Sequence, residues 1–335
     1  MVSVIVPVYQ VSDYVERCIR SVMAQTYPDI ECIIVDDATK DNSIEKCEQL
    51  IGAYDGPIRF RIIRHEQNRG LSAARNTGTE AATGDYLYYL DSDDYITPDC
   101  IEKLVSIVND DPVIEMVQGN SLMVCEGKDT LLYRIDTPTR ISNNDEARKA
   151  FFKDRHVYIS VWNRLLKKSF VEQNGLYCRE GLVFEDLLWV FYLMKHLRKA
   201  YLCEETTHYY CLRQGSILVD AKPESVRCYV ASFNEILNHL SEGYERDEIE
   251  GYLYYFVKRY VSYVKMVPEF KETIRLYRAK AGKYHCWYVY FVLSIVSIVV
   301  RWSSPLSFMR WLNGMRWKLK KTPVSQNINK RLYGK

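Results

Sequence analysis

Apolar and polar positions come in blocks over the first hundred residues. Val2-Ser3-Val4-Ile5-Val6-Pro7-Val8 is a nearly continuous apolar run and reads as a buried, parallel strand. A turn over Tyr9 to Ser12 follows, and Asp13 with Glu16 has the spacing of a capping box. Val15, Ile19 and Val22 then share one helical face. Glu31 to Val35 is a second buried strand that ends in Asp36-Asp37. Asp41 to Ser43 can cap a helix carrying Ile44, Cys47 and Ile51 inward. Arg59 to Arg64 is a third strand, Asn68-Arg69-Gly70 a turn, and Leu71 to Ala82 a helix of small residues. Tyr86 to Leu90 has the length and aromatic content of a fourth buried strand, and it stops on Asp91-Ser92-Asp93-Asp94. Pro98 suits the first turn of the next helix. Alternating strands and helices with short loops predict an α/β fold: a doubly wound, mostly parallel sheet with helices on both faces.

The later chain is less regular. Glu115 to Val124 reads as a strand and Lys128 to Pro138 as a loop or hairpin. Ser142 or Asn143 can cap a helix to about Lys153. Val161-Trp162-Asn163-Arg164-Leu165 is a landmark. Phe184-Glu185-Asp186 opens a helix with two acids at its amino end, where the helix dipole stabilises negative charge. Arg213 beside Gly215 looks like a loop-borne guanidinium able to grip a phosphate. Asp247 to Val267 reads as helical, with Ile249, Leu253, Phe256, Tyr260 and Val264 on one stripe suited to core or interface.

Charge changes this picture only at the end of the chain. The 335 residues carry a net charge of +2, but no acid occurs after Glu272, and the segment beyond it holds 13 basic residues. The first 272 residues therefore hold all 43 acids and 32 of the 45 basic residues, a net of −11. An acidic body with a basic tail suggests anionic lipid or nucleic acid as a partner of the tail. Trp287 to Val300 is uncharged for 14 residues, shorter than the roughly 20 needed to span a bilayer. Trp302, Trp311 and Trp317 follow among arginines and lysines, a pattern suited to a membrane interface over 285–321. The expectation is a segment lying on the membrane, the alternatives being a buried helix with a basic tail or a true span. A nucleic-acid role is disfavoured because it leaves the apolar run without a purpose. The ten cysteines form no Cys-x-x-Cys pair, so free thiols in a reducing cytosol are expected. The opening apolar strand, with no basic segment before it and no cleavage site, argues against a secretory signal peptide.

The chemistry is concentrated in the acids that end the strands. Ligands of open α/β sheets bind outside the carboxyl ends of the strands. Three carboxylates within Asp91 to Asp94 repel one another unless a cation sits among them, and a hard divalent ion with oxygen ligands is the natural candidate. The first strand–helix turn, Pro7 to Ser12, contains no glycine, so neither a dinucleotide fingerprint nor a Walker loop is present.

Taken in order, Val2 to Tyr9, Ile34-Val35-Asp36-Asp37, Asn68 to Asn76, Leu90 to Asp94 and Phe184-Glu185-Asp186 resemble the motifs of family 2 glycosyltransferases. These are enzymes of the sort that build bacterial capsules, exopolysaccharides and O-antigens. The resemblance is strong over about 1–110 and fair to about 220. It implies a GT-A fold, a nucleotide-sugar donor, usually UDP-linked, a divalent cation (Mn²⁺ or Mg²⁺) and inversion at the anomeric carbon. Carried over by position, Pro7 and Tyr9 line the base pocket, Asp36 or Asp37 accepts from the base, and Asn68 and Arg75 belong to the nucleotide site. Asp93 is the first metal ligand, with Asp94 or Asp91 assisting or holding the ribose. Asp186 is the catalytic base beside Glu185, and Arg213 takes the diphosphate. Gln10 and Ala38-Thr39 stand where Asn and Gly-Ser are usual. The Gln-x-x-Arg-Trp element of processive synthases is missing, which implies transfer of a single sugar. A catalytically inactive nucleotide-binding or assembly subunit is the alternative, disfavoured because every acid is retained.

The resulting expectation is a nucleotide-sugar-binding half over 1–110, an acceptor and catalytic half over 111–220, a helical extension over 221–272 and a membrane-associating tail over 273–335. The whole would work in the cytoplasm, peripheral or monotopic at the inner face of the plasma membrane, on a glycan or lipid-linked oligosaccharide acceptor.

Overall fold

Strands β1 (Val2–Val8) and β2 (Ile30–Asp36) are buried along their full length, as expected of central strands covered on both faces. The computed structural model describes residues 1–125, 128–131, 135–154, 156–212, 223–240, 244–260, 270–286, 289–290 and 293–294. Strand β3 (Arg59–Arg64) lies at the sheet edge, its exposed arginines alternating with half-buried Phe60 and Ile62, and such charged edges discourage further pairing. Strand β4 (Tyr86–Tyr89) pairs with the other side of β1, giving the parallel order β3-β2-β1-β4.

Helices α1 (Val15–Met23), α2 (Ser43–Gly52) and α3 (Leu71–Ala81) connect these strands, and α4 (Cys100–Asp110) follows them. Small residues let α3 lie close on β1: a β-carbon at Gly78 would overlap the Ile5 side chain. The expected capping box at Asp13 and Glu16 does not form. The N-cap of α1 is Tyr14, without a side-chain cap; Tyr14 N and Val15 N both donate to Val11 O at 2.9 Å, and Glu16 pairs with Arg20 instead. Before α2, Asp41 Oδ1 accepts from Ser43 N and Oγ. The helix expected to open at Pro98 begins at Cys100.

The second half is mixed rather than parallel. Strand β6 (Met116–Cys125) forms a hairpin with β7 (Lys128–Leu131). Strand β9 (Arg164–Lys167) runs antiparallel between β4 and β6, and β10 (Ala200–Cys211) runs parallel to β6. Strands β5 (Tyr95–Ile96) and β8 (Thr139–Ile141) add antiparallel to β10. Among the described residues, ten strands make one sheet. Asn143 caps α5 (Asn144–Phe152) by accepting from Glu146 N at 3.0 Å, while Glu146 accepts from Ser142 N, a reciprocal cap. Helix α6 (Lys168–Gln173) precedes α7 (Glu185–His196), which is apolar around most of its surface and buried.

The chain divides into two compact units, Met1–Ser232 and Phe233–Lys335. Helix α8 (Pro223–His239) contains the division; α9 (Arg246–Tyr260) and α10 (Phe270–Lys283) belong to the second unit. There Tyr252 meets Phe233 at 5.1 Å between ring centroids, and Ile249, Leu253, Ile274 and Tyr277 are buried. The rest of the stripe read on 247–267 lies outside the residues whose side chains are described. So does most of the proposed membrane segment 285–321. Among the described residues, no helix is long and apolar enough to cross a membrane.

Candidate active site

The carboxyl ends of β1, β2 and β4 lie side by side, Val8 in register with Asp36 and Leu90 N donating to Ile5 O at 3.0 Å. Each strand releases a different group there. Pro7 is still inside β1, in register with Val35, whereas Tyr9, just beyond, is 39% exposed. An exposed aromatic ring at the end of a central strand is a natural stacking surface.

The two acids that end β2 do different things. Asp37 is 2% exposed and fully engaged. Its Oδ1 accepts from Arg69 N at 2.8 Å and lies 2.7 Å from His65 Nδ1. Its Oδ2 accepts from Asn68 Nδ2 and Gly70 N at 2.9 and 2.8 Å. Asp37 and Asn68 therefore build the turn that launches α3. Asp36 accepts from Thr39 N at 2.9 Å and lies 3.7 Å from Arg64 Nε, a lighter set of ties.

Arg75, on α3 and 2% exposed, joins the remote acids. It donates to Asp91 Oδ1 at 2.6 Å through one terminal nitrogen and to Glu185 Oε1 through the other. The sequence resemblance places Arg75 at the nucleotide site; here it bridges the Asp91–Asp94 segment to the start of α7. Asp186 follows Glu185 and is partly exposed, with Oδ1 accepting from Leu187 N at 2.8 Å. Burial, then the neighbouring Glu185 charge, pushes its pKa up to about 7 against the opposing pull of Arg75.

Within the aspartate cluster, Asp94 N donates to Asp91 O to close a turn. Asp94 is 1% exposed and its carboxyl faces β10: Oδ1 accepts from Cys211 N at 2.8 Å and Oδ2 lies 3.2 Å from His208 Nε2. Burial raises the Asp94 pKa well above the usual carboxylate range, reinforced by Asp93 and Asp91, and burial lowers His208 to about 3. Burial thus disfavours charge on both partners. His208 is stacked under Trp162 at 4.5 Å, and Tyr210 lies 5.7 Å from the same ring. Asp93 is partly exposed. Among the described residues, no set of three or more His, Cys, Asp and Glu side chains is disposed as a metal cage. The donor set fits a smaller role, in which one or two carboxylates share a hard cation with ligand phosphates. Arg213 lies outside the described residues.

Several residues at this edge had no role assigned from the sequence. Asn163 adopts φ +57°, a conformation that Asn tolerates better than most residues. It receives Tyr88 Oη and Thr207 Oγ1 on its oxygen and donates to Gly119 O and Asn120 O. Arg164, fully buried, donates to Tyr158 O and to Gln118 Oε1. These contacts fix the Trp162 landmark beneath the site. Arg17, from α1, lies 4.4 Å over the Tyr95 ring and 2.8 Å from Cys211 Sγ.

A sheet of this order with acids gathered from three remote segments at its carboxyl edge is that of a GT-A glycosyltransferase. Residues 3–175 match the family described as Glycosyl transferase family 2, and the chain belongs to that family. It is 44% identical over 197 residues to the uncharacterized glycosyltransferase EpsJ of Bacillus subtilis, covering 56% of this chain and 53% of that one. Among solved structures it resembles S. aureus TarS 1-349 in complex with UDP-GlcNAc (TM-score 0.64, 18% identity, 84% of this chain and 80% of that one). It also resembles the mannosyltransferase PcManGT from Pyrobaculum calidifontis in complex with GDP-Man and Mn²⁺ (TM-score 0.55, 15% identity, 89% and 86% covered). At these identities the two structures speak for the fold. Matches to the first three curated relatives span 62%, 49% and 34% of their lengths.

Proposed function

We propose that the chain moves one sugar, with inversion, from a nucleotide-diphosphate donor, UDP-linked, to a hydroxyl of a glycan or lipid-linked acceptor in cell-surface polysaccharide synthesis. The observation that carries this reading is the Arg75 bridge, which brings Asp91 and Glu185 to one place although they lie 94 positions apart in sequence. The nucleotide sugars bound by TarS and PcManGT support the donor class.

Tyr9 stacks on the base, and Asp36, the less engaged of the two β2 acids, accepts from it. Arg213, by its place in the sequence, would take the diphosphate. Asp93, with the second oxygen of Asp91, would hold a divalent cation that neutralises charge on the departing nucleoside diphosphate. Asp94 sits behind them and fixes their turn. Asp186 is the base: with a pKa near neutrality it accepts the proton of the acceptor hydroxyl as that oxygen attacks the anomeric carbon. The bond from that carbon to the β-phosphate oxygen breaks with its electron pair leaving on the nucleotide. One displacement on the opposite face inverts the configuration. The region from about 155 to 220 would supply the acceptor side and keep water out.

The basic, tryptophan-bearing tail holds the enzyme at an anionic inner membrane face, each basic residue near the surface contributing about 1 kcal/mol. Full release from anionic vesicles at modest salt would count against insertion of the apolar run.

The deciding experiment measures nucleotide release from UDP- and GDP-sugars with Mn²⁺ or Mg²⁺, against the same reactions in chelator. Metal-dependent release that Asp186→Asn abolishes while nucleotide still binds is expected. Turnover unchanged in Asp186→Asn would overturn the assignment.

A further inference from the structure

Asn76 follows Arg75 on α3 and is engaged with the same distant loop. Its side chain mimics a strand pairing: Nδ2 donates to Cys178 O at 2.8 Å, and Oδ1 accepts from Cys178 N at 2.8 Å, across 102 residues of sequence. Arg75 grips Glu185 at the other end of that loop. Two consecutive helical residues therefore hold the two ends of 178–185, the segment that delivers Asp186.

That segment needs holding. It contains Gly181 at φ +78° and Phe184 at φ +64°, and Phe184 caps α7 directly before Glu185. A bulky side chain in the left-handed region is strained and persists only where its surroundings over-determine it. The Phe184 ring meets Tyr229 edge-on at 4.8 Å, and Leu176, two residues before Cys178, receives Trp189 Nε1 at 2.9 Å. Asn76 holds the Cys178 end of this backbone and Arg75 holds Glu185 at the other. A third tie, Arg69 to Glu180 at 3.1 Å, is exposed, and exposed pairs are worth little.

We infer that Asn76 is a positioning residue, which sets the catalytic loop by pairing with the Cys178 backbone and so places the carboxylate of Asp186. This rests on the reading of Asp186 as the base. Asn76 acts through the loop and touches no substrate. A misplacement of about 1 Å at a reacting group can lower a rate roughly a hundredfold.

The test compares Asn76→Ala, Asn76→Asp and Glu180→Ala in the full chain, using UDP-GlcNAc and GDP-mannose with Mn²⁺. Asn76→Ala should lower kcat for nucleotide release about a hundredfold, with donor KM and UDP or GDP affinity within a factor of about two of the unaltered chain. Asn76→Asp keeps the acceptor for Cys178 N and loses the donor to Cys178 O, so it should fall between; Glu180→Ala should leave turnover unchanged. Amide hydrogen exchange over 178–187 should rise in Asn76→Ala and stay at the native rate in Glu180→Ala. Parallel losses of kcat and nucleotide affinity would show a merely structural residue and overturn the inference. Unchanged exchange in Asn76→Ala would overturn the tie itself, whatever the chain catalyses. A native chain that releases no nucleotide from any donor, with the exchange effect intact, would sink the functional reading and with it the catalytic part of this one, while leaving the loop clamp standing.

Discussion

Arg75 donates to Glu185 across 110 residues of sequence, and both side chains are buried. The same guanidinium holds Asp91, so one cation serves two acids from different parts of the chain. Breaking a buried ion pair by removing one partner costs about 3–5 kcal/mol, because the other charge is left uncompensated. Arg75→Met should therefore lower the unfolding free energy by about that amount in urea titrations. Arg75→Met combined with Glu185→Gln should recover part of the loss. A single variant as stable as the native chain would mean the bridge carries no weight.

Asp186 gives activity and stability opposite pH dependences. The deprotonated form is the base, so kcat/KM should rise with pH and level off above about 7. The folded-state pKa lies above the ordinary carboxylate value, so the native state binds more protons than the unfolded chain between about 4 and 7. This contribution to stability is full at low pH and is lost as pH rises through about 7. Asp186→Asn should lose roughly 10²–10⁴-fold in rate yet be more stable than the native chain at pH 8, by on the order of a few kcal/mol. Equal stability of the two at pH 8 would contradict the burial argument.

The adjacent acids of β2 should separate on mutation. Asp37→Asn places an amide where four donors now converge, and disturbing such a buried network costs about 2–4 kcal/mol. Asp36→Asn should barely change stability and should weaken nucleotide binding. Calorimetry of UDP and GDP binding beside thermal melts distinguishes the two; a nucleotide-affinity loss confined to Asp37→Asn would reverse their roles.

The aspartate cluster makes a parallel contrast. Asp93→Ala should remove the Mn²⁺ dependence of nucleotide binding. Asp94→Asn keeps an acceptor for Cys211 N on a buried side chain turned toward β10, so metal affinity should change little. Manganese titrations followed by electron paramagnetic resonance measure both, and loss of metal binding in Asp94→Asn alone would move the ligand assignment inward.

The parallel half of the sheet was legible because its strands are apolar on both faces and end in acids, as β1, β2 and β4 do. In the second half β6 and the Asn143-capped α5 were legible too, while β5, β9 and β10 were hidden for physical reasons. Strand β10 is half polar, with Glu204, Glu205 and Thr206 in its middle, β5 is two residues long, and β9 follows a left-handed Asn163. The motif acids were found, but not which of them face inward. Asp37 and Asp94 carry the same residue type as Asp36 and Asp93, and only three-dimensional partners distinguish them. Arg75 was visible as a motif member, while its bridging role needed Glu185 beside it. Asn76 closed a motif without a role of its own, and His208 offered nothing a strand would not ordinarily contain.

The antiparallel placement of β9 has a consequence for biosynthesis. As the chain leaves the ribosome, β4 has β1 on one flank, and its other flank waits for residues 164–167 to be made. During that interval Tyr86, Leu87 and Tyr88 form an open apolar edge, the kind that recruits other strands. A nascent chain stalled before residue 164 should be a client for holding chaperones, and one extended past residue 211 should no longer be.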